Sequence, residues 1–330
     1  MATTNKSMPK VSVVIPNYNH ARFLRKRIDS VLQQTFQDFE LILLDDCSTD
    51  DSRSILSSYA SDPRVRIEFN DANSGNTFKQ WNKGVRFARG EYVWIAESDD
   101  YADERMLGRL VAILDADPAT AFAYCQSWRV SADDRREGFG DAHLNCIDPR
   151  RWTADYYADG REECRNYLVR ACSVPNASAV VFRKALYESV GGADESLRLC
   201  GDWKLWASMA LAGNVAYLAE PLNYFRFHDA SVRSRTGQMN GDVIEHLTVI
   251  RWVLSQVTPP EDVMEKVGES VANMWVPAVL STHVPLDLKK TILRIVREVD
   301  PHPLKNSVRP ALKAIGRKFS RHWRSVRSEI

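Results

Sequence analysis

Three polar stretches, each directly after an apolar run, hold the residue types that could do chemistry. "VSVVIPNYNH" (11–20) ends on Pro16, Asn17, Tyr18 and Asn19, and "FELILLDDCSTD" (39–50) on Asp45, Asp46, Cys47 and Ser48. "YVWIAESDDYADERM" (92–106) passes into Glu97, Ser98, Asp99 and Asp100. Asp, Asn and Ser are ordinary turn and cap residues, so each stretch alone reads equally well as a turn. Gathered in one cleft, several carboxylates repel unless a cation or hydrogen-bond donors sit between them. The chain has no G-x-G-x-x-G after a strand and no G-x-x-x-x-G-K-[ST], so a Gly-rich phosphate loop is not expected. Carboxylates with Mg²⁺ or Mn²⁺ are the remaining way to hold a pyrophosphate.

Alternating elements would bring these tips together. "VSVVI" (11–15), "FELILL" (39–44), "RVRIEF" (64–69), "EYVWIA" (91–96) and "TAFAYC" (120–125) read as strands. Helical spacing covers 21–34, 52–60, 77–88 and 103–115 between and after them. That order predicts an α/β fold with a mostly parallel, doubly wound sheet and helices on both faces. Ligands of such sheets bind beyond the carboxyl ends of the strands, where all three polar tips fall. The pattern weakens over 126–165, which reads as an insertion or variable loop. It resumes with a strand at 178–182, helices at 184–190 and 202–212, and strands at 214–219 and 222–227. Beyond about residue 240 it is helical only, with Val243, Leu247, Ile250, Leu254 and Val257 on one face.

The bulk properties narrow the class. A formal net charge of +1 over 330 residues, with 44% hydrophobic and 26% charged, is an ordinary globular balance and speaks against a nucleic-acid partner. Six dispersed cysteines without a C-x-x-C pair suggest reduced thiols. Without an apolar N-terminal segment or a spanning run, a cytoplasmic setting is expected. Residues 301–330 hold eight Lys/Arg against the single acid Glu329. Val308, Leu312, Ile315, Phe319, Trp323 and Val326 recur among them at helical spacing. A basic amphipathic helix over 304–327 either touches an anionic membrane surface peripherally or packs its apolar stripe on the rest of the chain.

The motifs together resemble family 2 glycosyltransferases of the GT-A fold. The resemblance is carried by 11–52, "NSGNTFKQWNKGVRFARGEYVWIAESDD" (73–100), "NASAVVFRKALYESVGGADESL" (176–197), "GDWKLWASMA" (201–210) and "YFRFHDASVRS" (224–234). It covers about residues 10–235 in the family's order. It implies a flexible segment 1–10 and a catalytic domain 11–235, with a nucleotide-sugar half 11–125 and an acceptor half 126–235. A helical C-terminal extension, 236–330, follows.

The implied activity is metal-assisted, inverting transfer from a UDP, dTDP or GDP sugar to a glycan or lipid-linked acceptor. A catalytically silent nucleotide- or glycan-binding module, or a sugar-phosphate nucleotidyltransferase, is the alternative. By the resemblance, Asp46 reads the nucleotide base, since a carboxylate suits an imide N–H, and Asp45 supports the ribose side or the turn. Pro16, Tyr18, Asn19, Asn73 and Gly75 belong to the donor site, with Lys79 near a phosphate. Glu97-Ser98-Asp99 matches the D-x-D motif with Glu in place of the first Asp. Asp99 is then the ligand of Mn²⁺ or Mg²⁺, and Glu97 and Ser98 face the donor. His228, with Arg226 and Ser231, falls where the family contacts metal or pyrophosphate. Asp202 in "GDW" matches the catalytic base, although its place before 203–212 also suits a helix cap. Asp100 reads as a cap of the helix that follows it. Trp203 and Trp206 read as core or as a wall of the acceptor cleft.

Overall fold

A computed structural model describes residues 8–139, 142–228, 242–308 and 310–312, without the side chains of residues 142, 143 and 146. Ser231 and most of the basic segment 304–327 lie outside the described residues. The chain divides into two compact units, residues 1–163 with 172–229, and residues 164–171 with 230–330.

The first unit is built on a ten-stranded sheet. Its strands are β1 (Val11–Asn17), β2 (Phe39–Asp45), β3 (Val65–Phe69), β4 (Tyr92–Ile95), β5 (Tyr101–Ala102), β6 (Thr120–Ser131), β7 (Arg136–Phe139), β8 (Tyr156–Ala158), β9 (Val180–Arg183) and β10 (Asn214–Phe227). They lie in the order β3-β2-β1-β4-β9-β6-β10-β5, with β7 on β6 and β8 on β10. Helices α1 (Ala21–Leu32), α2 (Ser52–Ser57), α3 (Thr77–Phe87), α4 (Met106–Ala116), α5 (Ala142–Ile147), α6 (Gly160–Glu163), α7 (Lys184–Ser189) and α8 (Gly201–Ala212) complete the unit.

β1 and β2 are buried along their whole length, as an apolar, β-branched run in a covered parallel sheet should be. Their register fixes the heights of the polar tips. β1 pairs β2 from Val11↔Phe39 to Asn17↔Asp45, and pairs β4 from Val11↔Tyr92 to Val14↔Ile95. Asp46 and Ala96-Glu97 therefore leave the sheet at the same edge, where Asp46 N donates to Asn17 O and Ala96 N to Val14 O.

β9 runs antiparallel between β4 and β6, and β10 runs parallel to β6. β1–β4, β6 and β10 thus point one way, and the chain leaves β10 for His228 at that same edge. Short antiparallel strands were not legible in the periodicity. Tyr101–Ala102 pairs with Asn223 and Tyr224 of β10, so α4 starts at Met106 and not at 103. β6 continues six residues beyond the expected end and turns into β7, which replaces part of the expected variable loop. β10 is one strand in place of two. Pro221, which has no N–H to give, sits at its register shifts.

The second unit is helical, with α9 (Asp242–Gln256), α10 (Glu261–Leu280) and α11 (Leu286–Val299). It buries Leu247, Ile250 and Val253 of α9, Val267 and Val271 of α10, and Ile292, Ile295 and Val296 of α11. Arg165 Nε donates to Thr258 O, tying the segment 164–171 to the α9–α10 connection. No described helix is long and apolar enough to cross a membrane.

Candidate active site

The turns after β1 and β2 brace one another. Asn19 and Cys47 both adopt left-handed backbone, at φ 56° and 62°. Asn19 N donates to Ser48 Oγ, and Thr49 N donates back to Asn19 Oδ1 at 2.8 Å. Of the two roles open to Asp45, ribose support or turn, its surroundings fit the turn. It is fully buried and accepts from Asn17 Nδ2, Ser48 N and Arg53 Nε. Pro16 is buried within β1, while Tyr18 is 40% exposed beside the turn.

Asp46 is a buried hub. Its Oδ1 accepts from Asn70 Nδ2 (2.6 Å), Ser74 N (2.9 Å) and Gln80 Nε2 (2.9 Å). Its Oδ2 accepts from Ser74 Oγ (2.7 Å) and Asn73 Nδ2 (3.2 Å). Gly75, at φ 67°, turns the loop so that its N–H donates to Asn73 Oδ1. For this carboxylate to accept a further N–H, one donor must turn aside. The Ser74 hydroxyl can do so, because Asn76 O lies 3.2 Å from it.

Helix α3 connects the acidic segments. Its cap residue Asn76 accepts from Phe78 N and donates to Glu195 O and Leu197 O, holding the approach to α8. Gln80 reaches Asp46, and Trp81 Nε1 donates to Glu97 Oε1 at 2.6 Å. Phe78 packs on Gly201, where a Cβ would stand 2.5 Å from its ring. That contact explains the glycine of "GDW". Lys79 points away on the exposed face of the same helix and makes none of these bonds.

α8 ends beside the start of β10, and its 12 residues span roughly 18 Å, so its first turn returns to the strand-end edge. Asp202 sits in that turn, half-buried, where a carboxylate is favoured by the helix dipole. It is not the N-cap. Cys200 occupies that position without a side-chain cap bond, and Asp202 Oδ1 accepts from Trp203 N. Trp203 and Trp206 are core residues, at 2% and 0% exposed.

The tip after β4 is an acidic turn on two buried arginines. Arg27, 0% exposed in α1, donates through Nε to Glu97 O and lies over the Trp94 ring. Burial lowers its pKa to about 10, against the pull of Asp100, Asp99 and Glu97. Arg226 donates through Nε to Asp99 O and pairs with Asp134. Asp100 caps no helix. It is 2% exposed, accepts from Asn176 Nδ2 and Arg226 N, and so joins the β4 tip to β10 and to the segment before β9. Burial, then the charge of Asp99, pushes Glu97 up to about 8.

Asp99 behaves oppositely. Burial alone would raise it, but the His228 hydrogen bond and the charges of His20 and His228 hold it below the ordinary carboxylate range. Asp99 Oδ2 lies 2.9 Å from His228 Nε2. His20, at the start of α1, meets Ser98 Oγ through Nδ1 at 2.8 Å, and its ring centre is 5.6 Å from that of His228. One ligand atom from each of His20, Asp99 and His228 lies within 4.8 Å of the others, a donor set suited to a divalent transition metal.

Sequence reasoning assigned no role to His20, Arg27, Gln80 or Trp81. For His20 a signal existed, since it follows a strand tip on the ligand edge.

The glycosyl transferase family 2 profile matches residues 12–189, more than half of the chain. The chain belongs to that family. An uncharacterized glycosyltransferase of Nostoc sp. is 28% identical to this family 2 member over 236 residues. That stretch is 67% of this chain and 66% of the relative, just under two thirds of its length. Among solved structures, S. aureus TarS 1-349 in complex with UDP-GlcNAc superposes with a TM-score of 0.69 at 18% identity, covering 92% of this chain and 89% of that one. The mannosyltransferase PcManGT from Pyrobaculum calidifontis, in complex with GDP-Man and Mn²⁺, gives 0.57 at 16%, covering 95% and 87%. At these identities the likeness is one of fold, and it establishes the GT-A architecture expected from the motifs.

Proposed function

We propose that this family 2 chain transfers a sugar from a UDP, dTDP or GDP donor to a hydroxyl of a glycan or lipid-linked acceptor, with inversion at the anomeric carbon. The observation that carries this reading is the set of contacts from α3: Gln80 to Asp46, Trp81 to Glu97, and the Phe78 ring on Gly201 at the start of α8. It supports reading Asp46 as the base-reading carboxylate, Asp99 as the metal ligand and Asp202 as the proton acceptor of one strand-end cleft.

In the proposed reaction the acceptor oxygen forms the new bond to the anomeric carbon as the bond to the diphosphate oxygen breaks. Asp202 takes the hydroxyl proton, and the diphosphate leaves with the bonding electron pair. Mn²⁺ or Mg²⁺, held by Asp99 and His228, would supply positive charge to the departing diphosphate. Asp46 accepts the imide N–H of the base once the Ser74 hydroxyl turns toward Asn76 O. Asn19, Asn73 and Gly75 shape the loops around the nucleotide, and Arg27 and Arg226 hold the acidic tip rigid from below.

The segment 11–235 is the catalytic domain in this reading, and 236–330 an extension. Leu304, Val308 and Leu312 are 82%, 58% and 67% exposed at spacings of four. With the Lys/Arg-rich sequence that follows, they support peripheral contact with an anionic membrane surface, which suits a lipid-linked acceptor. The test of the chemistry is a pair of variants. Asp99→Ala should lose metal-dependent donor binding and transfer together, and Asp202→Asn should lose transfer alone. Full turnover by either variant overturns the reading.

A further inference from the structure

We propose that His20 is a direct third ligand of the metal centre, making it a two-imidazole, one-carboxylate site that selects Mn²⁺ over Mg²⁺. This rests on the reading that Asp99 and His228 hold a metal, and adds to it both a ligand and a selectivity.

Three observations support it. His20, Asp99 and His228 come from three separate segments, the tips of β1, β4 and β10, yet their ligand atoms lie within 4.8 Å of one another. A cation seated among them would bring each atom close to ordinary coordination distance. The His20 ring is oriented: Ser98 Oγ, 2% exposed, bonds it at Nδ1, and Phe23 lies edge-on at 6.2 Å. A ligating imidazole usually gives its other ring N–H to an acceptor that fixes the ring, and Ser98 Oγ stands in that place for His20. Finally, His20 takes the N-cap position of α1 but makes no side-chain cap bond, so capping does not explain a histidine there.

The selectivity follows from the donors. Mg²⁺ demands a near-octahedral oxygen shell and gives up water reluctantly, whereas imidazole nitrogen suits the later first-row ions. With His228 alone the site would be a mixed one that Mg²⁺ tolerates. With two imidazoles the balance moves toward Mn²⁺.

The test uses the full chain with Mn²⁺ as probe. Pulsed EPR of the wild-type complex should show ¹⁴N couplings from two imidazoles, and His20→Gln should show one. His20→Gln and His20→Ala should bind Mn²⁺ about tenfold more weakly or worse by calorimetry. Their preference for Mn²⁺ over Mg²⁺ should fall, with helical circular dichroism unchanged. One imidazole coupling in the wild-type protein, which requires no variant to fold, would overturn the role of His20 and leave the Asp99–His228 site standing. No bound Mn²⁺ in the wild-type protein would overturn both.

Discussion

At the scale of residues, four acidic groups at one sheet edge do four different jobs because their partners differ. Asp45 is consumed by its turn and by Arg53. Asp100 joins β4 to β10 through Arg226 N and to Asn176. Asp99 is kept ionised by two imidazoles, while Glu97, desolvated and beside that charge, is pushed up to about 8. In the metal-free protein Glu97 therefore keeps its proton at neutral pH, where the unfolded chain has lost it. The folded state binds more protons between about pH 4.5 and 8, so this group's contribution to stability falls as pH rises through that window. Gln is shaped like the protonated acid. We expect Glu97→Gln to fold normally and, in EDTA, to show a flatter melting temperature over pH 5–8.5 than the wild type. An unchanged pH profile would contradict the assignment. Sequence alone could not separate these four acids. Their types and spacing were legible, but Asp100 looked like a cap because Arg226, the residue that uses it, is far along the chain.

At the scale of elements, α3 is the part that sequence reading undervalued. Its periodicity predicts a helix over 77–88, and Lys79 is the cation in it that suits a phosphate. The residues that matter are its neighbours: Phe78, Gln80 and Trp81 each touch a different acidic segment. Nothing in a helical pattern says what a helix will touch. The strand tips were easier, because a buried apolar run in a parallel sheet specifies which end carries the polar residues. Gly201→Ala isolates the α3–α8 contact, since the added methyl would meet the Phe78 ring at 2.5 Å. Overpacking of this kind costs about 1–3 kcal/mol. We expect a matching loss in urea unfolding, and a larger fall in kcat than in donor affinity, because the start of α8 moves and the Asp46 hub does not. Equal stability and kcat would show that the contact does not position Asp202.

At the scale of the whole molecule, motif order made the α/β architecture of the sheet-bearing unit legible, and the stretch between β6 and β9 much less so. Residues 126–175 carry no motif, and only part of the basic segment lies among the described residues. The exposed stripe Leu304, Val308 and Leu312 is still testable on the full chain. Triple substitution to Asp should abolish co-sedimentation with vesicles rich in anionic lipid while leaving transfer to a soluble acceptor intact. Retained sedimentation would move the stripe's role elsewhere. The central claim, that one cleft carries out inverting transfer with Asp202 as base, is tested most directly by measuring both donor binding and sugar transfer for Asp202→Asn with Mn²⁺. We predict donor affinity within about threefold of wild type and transfer reduced by about 10²–10⁴. Transfer at the wild-type rate would contradict it.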